Sequence, residues 1–326
     1  MAHTGEAGGN GISQRPVVGT SLRCSSIGFA LDRSASGMPT LDRRTVALLK
    51  RARSLGVTTF QVPEGSRSRS AERLLTTAFP SVDDELLVLT VRSLSSLAEE
   101  GGEGARRATE EALEERLQRS IRESTARLRP HRVDLLLWRH DPATGIPLED
   151  VVDVLERLRN EEAYAGWILS IPPGSTSLPG GFRDPARGAP LYSGVLSVLN
   201  HSLLGPLSER AVAGPVGLFA EDPFGEGRLD GTRFAVSVAD RRPDTRPLNL
   251  RELQREFAPV VKLGFLTEGR RRTLAQASLR FVLRWPWVCS AVIPLPSPER
   301  LGELARTEAT PPLSDSEVAR LLALTP

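Results

Sequence analysis

Side chains able to move a proton are scarce in this chain. Among 326 residues the only tyrosines are Tyr164 and Tyr192, and the only lysines are Lys50 and Lys262. The four histidines, His3, His131, His140 and His201, share no ligand spacing with one another or with carboxylates, so no metal site is expected. Cys24 and Cys289 lie far apart and carry no metal or redox spacing; both are expected to be reduced and buried. The 42 basic residues are balanced by 40 acidic ones, and Arg and Glu interleave from Glu110 to Arg129. Such interleaving describes a solvated helix face and argues against nucleic acid as a partner. No apolar run approaches the roughly 18 residues that a membrane span requires, so no membrane partner is expected. Residues 1–15 are Gly-rich and polar, without an apolar targeting core, which predicts a disordered arm and a cytoplasmic protein.

The elements that must position any chemistry follow from hydrophobic patterning. Short apolar runs predict strands at Ser26 to Ala30, Thr58 to Val62, Leu86 to Thr90, Val133 to Trp138, Trp167 to Ile171, Val195 to Leu199, Val216 to Ala220 and Cys289 to Pro294. Amphipathic segments between them predict helices at Leu41 to Ser54, Ser70 to Ala78, Arg106 to Leu128, Leu148 to Glu162, Leu204 to Ala211, Thr273 to Trp285 and Pro298 to Arg306. Eight strands in this alternation predict an α/β fold closed as a (β/α)8 TIM barrel, with function on the loops that follow the strands. Two stretches interrupt the pattern. Pro172 to Gly194 holds five prolines and five glycines and predicts a loop, while Glu221 to Leu248 predicts a lid or partner surface over the barrel mouth.

Several segments resemble one known family in register. They are Arg15 to Ala30; Gly56-Val57-Thr58-Thr59-Phe60 with Ser70 to Leu75; Arg132 to Leu137 with His140-Asp141-Pro142; Pro223 to Gly231; and Ala275 to Leu283 followed by Ile293-Pro294 and Ser297-Pro298-Glu299. In this order they resemble the aldo-keto reductase superfamily over most of the chain. The resemblance implies one barrel domain over residues 16–326.

The resemblance also implies four side chains around a substrate carbonyl: a tyrosine that protonates it, a lysine that lowers the tyrosine pKa, an aspartate that pairs with the lysine, and a histidine that orients the carbonyl. Carried onto this chain, the aspartate falls at Gln61, the tyrosine at Ser66 and the lysine at Val91, with Arg92 one place beyond; the histidine falls at Arg139 by a gapless count, or at His140. A serine has no acidity near neutral pH, a glutamine holds no ion pair, and an arginine stays protonated. The replacement candidates for catalysis are His140, Arg139 and Glu64, the last as an acid if burial raises its pKa. Strand alternation aims either Trp138 or Arg139 into the mouth, and Tyr192 is the one tyrosine that could swing in, from the Pro/Gly-rich loop.

On the cofactor side the resemblance implies NADP, held here by Asn200, Gly225, Gly227 and Ser297, the last through free N–H groups of the helix that begins at Pro298. The family's amide-binding Asn after the fifth strand is missing from Ser170-Ile171-Pro172-Pro173-Gly174-Ser175. Leu196 and Leu199 stand where a glutamine and a stacking aromatic are expected, and Leu295-Pro296-Ser297 lacks the basic residue that commonly meets the adenosine phosphate. Two functions are compatible with this inventory. One is a pseudoenzyme that binds a small-molecule ligand or a protein partner. The other is a repurposed enzyme of a specialised pathway, either a non-standard NADP-dependent oxidoreductase or a redox-neutral dehydratase or isomerase, using His140 and nearby rim residues.

Overall fold

A computed structural model describes residues 11–34, 41–101, 110–141, 145–179, 189–233 and 250–324. Eight strands run β3 (Ile27–Ser34), β4 (Thr59–Val62), β5 (Leu87–Ser93), β6 (Leu135–Arg139), β7 (Gly166–Ser170), β8 (Leu191–Val195), β9 (Gly217–Glu221) and β10 (Val288–Leu295). They pair in parallel in chain order, and β10 closes the barrel against β3. The predicted (β/α)8 barrel is therefore the observed fold. Before it, β1 (Gln14–Pro16) and β2 (Arg23–Ser25) form an antiparallel pair.

Strand residues alternate between two apolar layers, as a pleated barrel wall requires. Leu87, Leu89, Val91, Leu135, Leu137, Ile168, Leu191 and Phe219 fill the barrel interior together with Val17 and Cys24 of the β1–β2 region. Phe60, Val62, Val88, Leu136, Trp138, Leu169, Tyr192 and Leu218 face the helices. Those helices are α1 (Arg43–Ser54), α2 (Ser68–Ala78), α3 (Leu94–Gly101), α4 (Glu110–Leu128), α5 (Leu148–Asn160), α6 (Leu204–Ala213), α7 (Leu250–Val261), α8 (Leu274–Val282), α9 (Pro298–Ala305) and α10 (Asp315–Leu324). Their ends carry local signals. Asp42 caps α1 by accepting from the Thr45 N–H at 2.8 Å, and Thr273 with Gln276 forms a capping box at α8.

The β1–β2 pair seals the barrel floor and fastens distant parts of the chain there. The Ile12 N–H donates to the Leu55 carbonyl at 2.9 Å. Arg15 donates to the carbonyls of Val288 and Leu283 at 2.9 and 2.7 Å. Ser13 and Ser26 both donate to one carboxylate oxygen of Glu308. Cys24 and Cys289 are buried free thiols, as expected; burial pushes both pKa values up, that of Cys289 to about 11.

Three expectations are corrected. Residues 11–15 belong to the ordered floor and not to an arm, because Ile12 is buried and Gln14–Pro16 pairs with β2; residues 1–10 lie outside the described residues. The sixth barrel strand is Leu191–Val195 instead of Val195 to Leu199. After Val195 the Ser197 hydroxyl accepts from the N–H groups of Leu199 and Asn200, and this turn bends the apolar run away from the sheet. Tyr192 consequently lies within a strand, 2% exposed on the helix-facing side, and cannot reach the mouth. Its hydroxyl donates to the Pro179 carbonyl at 3.4 Å, and burial raises its pKa to about 12. Of the predicted loop and lid, residues 180–188 and 234–249 lie outside the described residues.

Candidate functional site

The rim at the C-terminal ends of the barrel strands is where this architecture displays chemistry. Leu135 and Leu137 point inward, so Arg139 at the end of β6 points into the mouth, while Trp138 packs outward with 2% exposure. Across β5, Glu64 follows the end of β4. Its Oε1 accepts from Arg139 Nη1 at 3.0 Å, and the two side chains keep 22% and 39% of their exposure. Sequence reasoning named Glu64 and Arg139 separately; the fold brings them together as an ion pair. The second carboxylate oxygen of Glu64 is buried and accepts no hydrogen bond from the described residues.

Gln61 stands on β4 between Phe60 and Val62, both of which face the helices, so its side chain turns into the barrel mouth. It is 6% exposed, and its buried Oε1 likewise has no hydrogen-bond partner among the described residues. Ser66 lies exposed on the single 3-10 turn Gly65–Arg67. Val91 is 1% exposed within the apolar interior. Arg92 cannot stand in for an amine at the mouth. It faces α4 and is fully buried, donating to Ser120 Oγ and the Val91 carbonyl at 2.8 Å each and to Ser124 Oγ.

His140 leaves the strand directly after Arg139 and is partly buried. Burial lowers its pKa and the neighbouring Asp141 carboxylate opposes part of that shift, so the imidazole is neutral at pH 7.

A second feature lies to one side of the mouth, where the loop after β9 meets the start of α9. The cavity there measures about 380 Å³ and is lined by residues that include Gly227, Asp230, Ile293, Ser297 and Arg300. Glycine is required at 227: φ is +81°, and a Cβ would come within 2.3 Å of Thr232 Oγ1. Asp222 shapes the loop entrance, with both carboxylate oxygens accepting from the Glu226 N–H at 2.7 and 2.9 Å. Ser297 caps α9 by accepting from the Arg300 N–H. Arg300 Nη1 donates to Glu303 at 2.8 Å, whereas its buried Nη2 makes no hydrogen bond with the described residues and lies 3.6 Å from the Asp230 carboxylate. Asp222, Glu226 and Asp230 outnumber Arg233 and Arg300 around this space.

Of the four residues expected to hold a cofactor, Gly227 and Ser297 line the cavity. Gly225 supports the loop from behind, where a Cβ would strike Leu199 Cδ1 at 2.8 Å. Asn200 does not line it; its Oδ1 accepts from the Ser202 N–H and hydroxyl in the turn after β8. Arg300 was missed by sequence reasoning, although an arginine three residues after a Ser-Pro helix start places a guanidinium on the first turn. Among the described residues no group of His, Cys, Asp or Glu could hold a metal ion, and no helix is long and apolar enough to cross a membrane.

No protein-family model matches the chain, and no curated protein matches it by sequence. Solved structures do. The holo form of an aldo-keto reductase from Bacillus halodurans is 14% identical with a TM-score of 0.67, covering 97% of this chain and 96% of its own. A glycerol dehydrogenase from Gluconobacter oxydans is 16% identical with a TM-score of 0.66, covering 95% and 94%. An aldo-keto reductase from Klebsiella pneumoniae in complex with NADPH is 18% identical with a TM-score of 0.66, covering 97% of each chain. These likenesses establish the aldo-keto reductase barrel as the fold of this chain.

Proposed function

We propose that this chain is an aldo-keto reductase-like barrel that binds a small molecule and has lost ordinary NADPH-dependent carbonyl reduction. One observation supports the reading: Val91, at the position the resemblance gives to the activating amine, is sealed in the apolar barrel interior, and Ser66, at the position it gives to the phenol, lies exposed on a turn. Carbonyl reduction needs a proton at the oxygen as hydride reaches the carbon. A serine hydroxyl without a base does not supply it, and the Arg139 side chain is engaged with Glu64. A neutral His140 can donate a hydrogen bond but is a poor acid at pH 7.

NADP fits the chain at its phosphate-bearing end. Arg300, whose Nη2 makes no hydrogen bond among the described residues, suits a phosphate, and Gly227 allows close backbone approach; the first turn of α9 adds little, since Pro298 has no N–H and Ser297 accepts from the N–H groups of Arg300 and Leu301. The carboxylates of Asp222, Glu226 and Asp230 oppose a second negative group, and Leu196 and Leu199 offer the nicotinamide neither amide nor ring. When bound, NADPH would supply hydride; the residues of this chain do not complete the reaction with a proton.

The test pairs calorimetric titration of NADPH and NADP with an NADPH-consumption assay on simple aldehydes. Micromolar binding without turnover supports a barrel that kept its nucleotide and lost its chemistry. No binding at millimolar nucleotide supports a barrel that serves other ligands or a protein partner. Robust NADPH-dependent turnover would sink the proposal.

The neutral, partly buried His140 favours a second reading, in which the imidazole acts as a base for redox-neutral dehydration or isomerisation beside the Glu64–Arg139 pair. Under it, His140→Ala abolishes turnover of an identified substrate while the melting temperature is unchanged.

A further inference from the structure

Residues 41–80 carry eight basic side chains against three acidic ones, while the remainder of the chain holds thirty-four against thirty-seven. Positive charge is therefore concentrated on one part of the barrel wall, where α1 and α2 pack side by side. All three acids are engaged elsewhere. Asp42 caps α1, Glu64 is bonded to Arg139, and Glu72 is fully buried and bonded to Arg127. Of the eight cations only Arg53 has a carboxylate partner, at Asp83 and Glu85. The other seven are exposed and have no such partner among the described residues. Helical periodicity puts Arg43, Arg44, Lys50 and Arg51 on one side of α1, with Ala47 and Ser54 exposed among them. On α2, Arg69 and Arg73 stand one turn apart beside Ser70 and Thr77, and Arg67 precedes them.

This placement is the reverse of what stabilises a helix. Anions belong at the positive N-terminal end, yet Arg43 and Arg44 occupy the first turn of α1 and Arg69 that of α2, and neither first turn holds an acid. Arg69 and Arg73 add a like-charge pair at four-residue spacing. An anionic partner would offset both penalties. The surroundings select which one. A long polyanion such as nucleic acid would run off the patch onto a surface where acids outnumber bases, and neither helix exposes an aromatic ring for stacking. Leu41 is the only large apolar side chain exposed in residues 41–80, too little to anchor in a membrane. Guanidinium forks suit carboxylates, which they can hold two bonds at a time, and the small side chains of Ala47 and Ser70 leave room for a second chain to approach. We propose that the outer face of α1 and α2 docks an acidic segment of a partner protein, a short run of Asp and Glu whose carboxylates pair with these arginines. The surface lies on the outside of the barrel and is independent of what the mouth binds.

The probe is a fluorescein-labelled octaglutamate peptide, followed by anisotropy against the full-length protein, with octaglutamine and a short DNA duplex as comparators. Octaglutamate is expected to bind saturably and to weaken about tenfold as salt rises from about 50 to about 200 mM. Octaglutamine is expected not to bind, and the duplex to bind more weakly than octaglutamate. Arg69→Glu combined with Arg73→Glu is expected to lower peptide affinity about tenfold, while the melting temperature holds or rises because an acid enters the first turn of α2. The same reversal at Arg251 and Arg255, exposed on α7, is expected to leave affinity within about twofold. Equal losses in the two double variants would show a response to net charge alone and overturn the proposal, as would peptide binding that survives reversal on α2. Absent binding at about millimolar peptide in low salt also overturns it. Tighter binding of the duplex overturns it in favour of nucleic acid. If the α2 variant unfolds, Arg43→Glu combined with Arg44→Glu on α1 makes the same comparison.

Discussion

Replacing Gln61 by leucine should stabilise the ligand-free protein, the reverse of what most core substitutions do. The side chain is 6% exposed, its Oε1 is buried, and it makes no hydrogen bond with the described residues. An unpaired buried acceptor costs about 1–3 kcal/mol, and leucine of similar size removes that cost without opening a cavity. Unfolding entropy near the melting temperature is about 2.1 cal/mol/K per residue, or roughly 0.7 kcal/mol/K for this chain, so the gain corresponds to about 1.5–4 °C in Tm. Differential scanning calorimetry of both proteins in one buffer, without polyols, measures it. A fall in Tm, or no change, would refute the reasoning, because it would mean that water already satisfies Oε1 and that the mouth holds no unmet acceptor.

Asp134, buried at the start of β6 with Oδ2 accepting from the Val88 N–H at 2.8 Å, has its pKa raised by burial. A raised carboxyl pKa contributes stability below the unfolded value near 3.8 and loses it as pH rises through the folded value. Asp134→Asn should therefore raise the denaturation midpoint at pH 7 and lose that advantage below about pH 4. Tyr164 and Tyr192 are both buried with raised pKa values, Tyr192 to about 12. The phenols stay neutral through pH 10, and the stability tied to Tyr192 is lost between pH 10 and about 12. An ultraviolet titration showing tyrosinate near pH 10 in folded protein would contradict this burial. Arg92→Met should destabilise the fold by about 1–3 kcal/mol in a denaturant melt, since it removes the buried donors to Ser120, Ser124 and the Val91 carbonyl. Ligand binding at the mouth should be untouched in that variant, because Arg92 points away from it; altered affinity would refute the outward assignment.

Patterning carried the barrel further than it carried the site. Seven of the eight predicted strands overlap the observed ones closely, because a parallel strand buried on both faces must be a short apolar run bounded by turns. The sixth slipped because Val195 to Leu199 is the more apolar run and shares a residue with Leu191–Val195; the Ser197 turn that takes it out of the sheet is a hydroxyl contact with no periodicity. Helix α7 lay hidden behind a Pro- and Arg-rich stretch, although Leu250, Leu253, Phe257 and Val260 recur at helical spacing. Arg92 stood one place beyond the missing amine and Arg139 at the place of the histidine, and type alone did not say which of them reaches the mouth. Strand parity separates them, sending one into the helix layer and the other into the mouth. The Glu64–Arg139 pair was invisible as a pair, since its members are 75 residues apart in sequence and meet only across β5. Arg300 went unread for another reason: its significance comes from a cavity made by the β9 loop, which no local window contains.

The clasp on the barrel floor sets an order of events for the newly made chain. Residues Ile12 to Ser26 leave the ribosome long before the carbonyls of Leu283 and Val288 and the carboxylate of Glu308 that they need. Until then β3 also lacks its neighbour β10, so one side of the growing sheet remains open until β10 has been made. Closure of the ring and docking of the clasp thus become a single late event, and a deletion at the front of the chain and one at the back would be felt at the same seam.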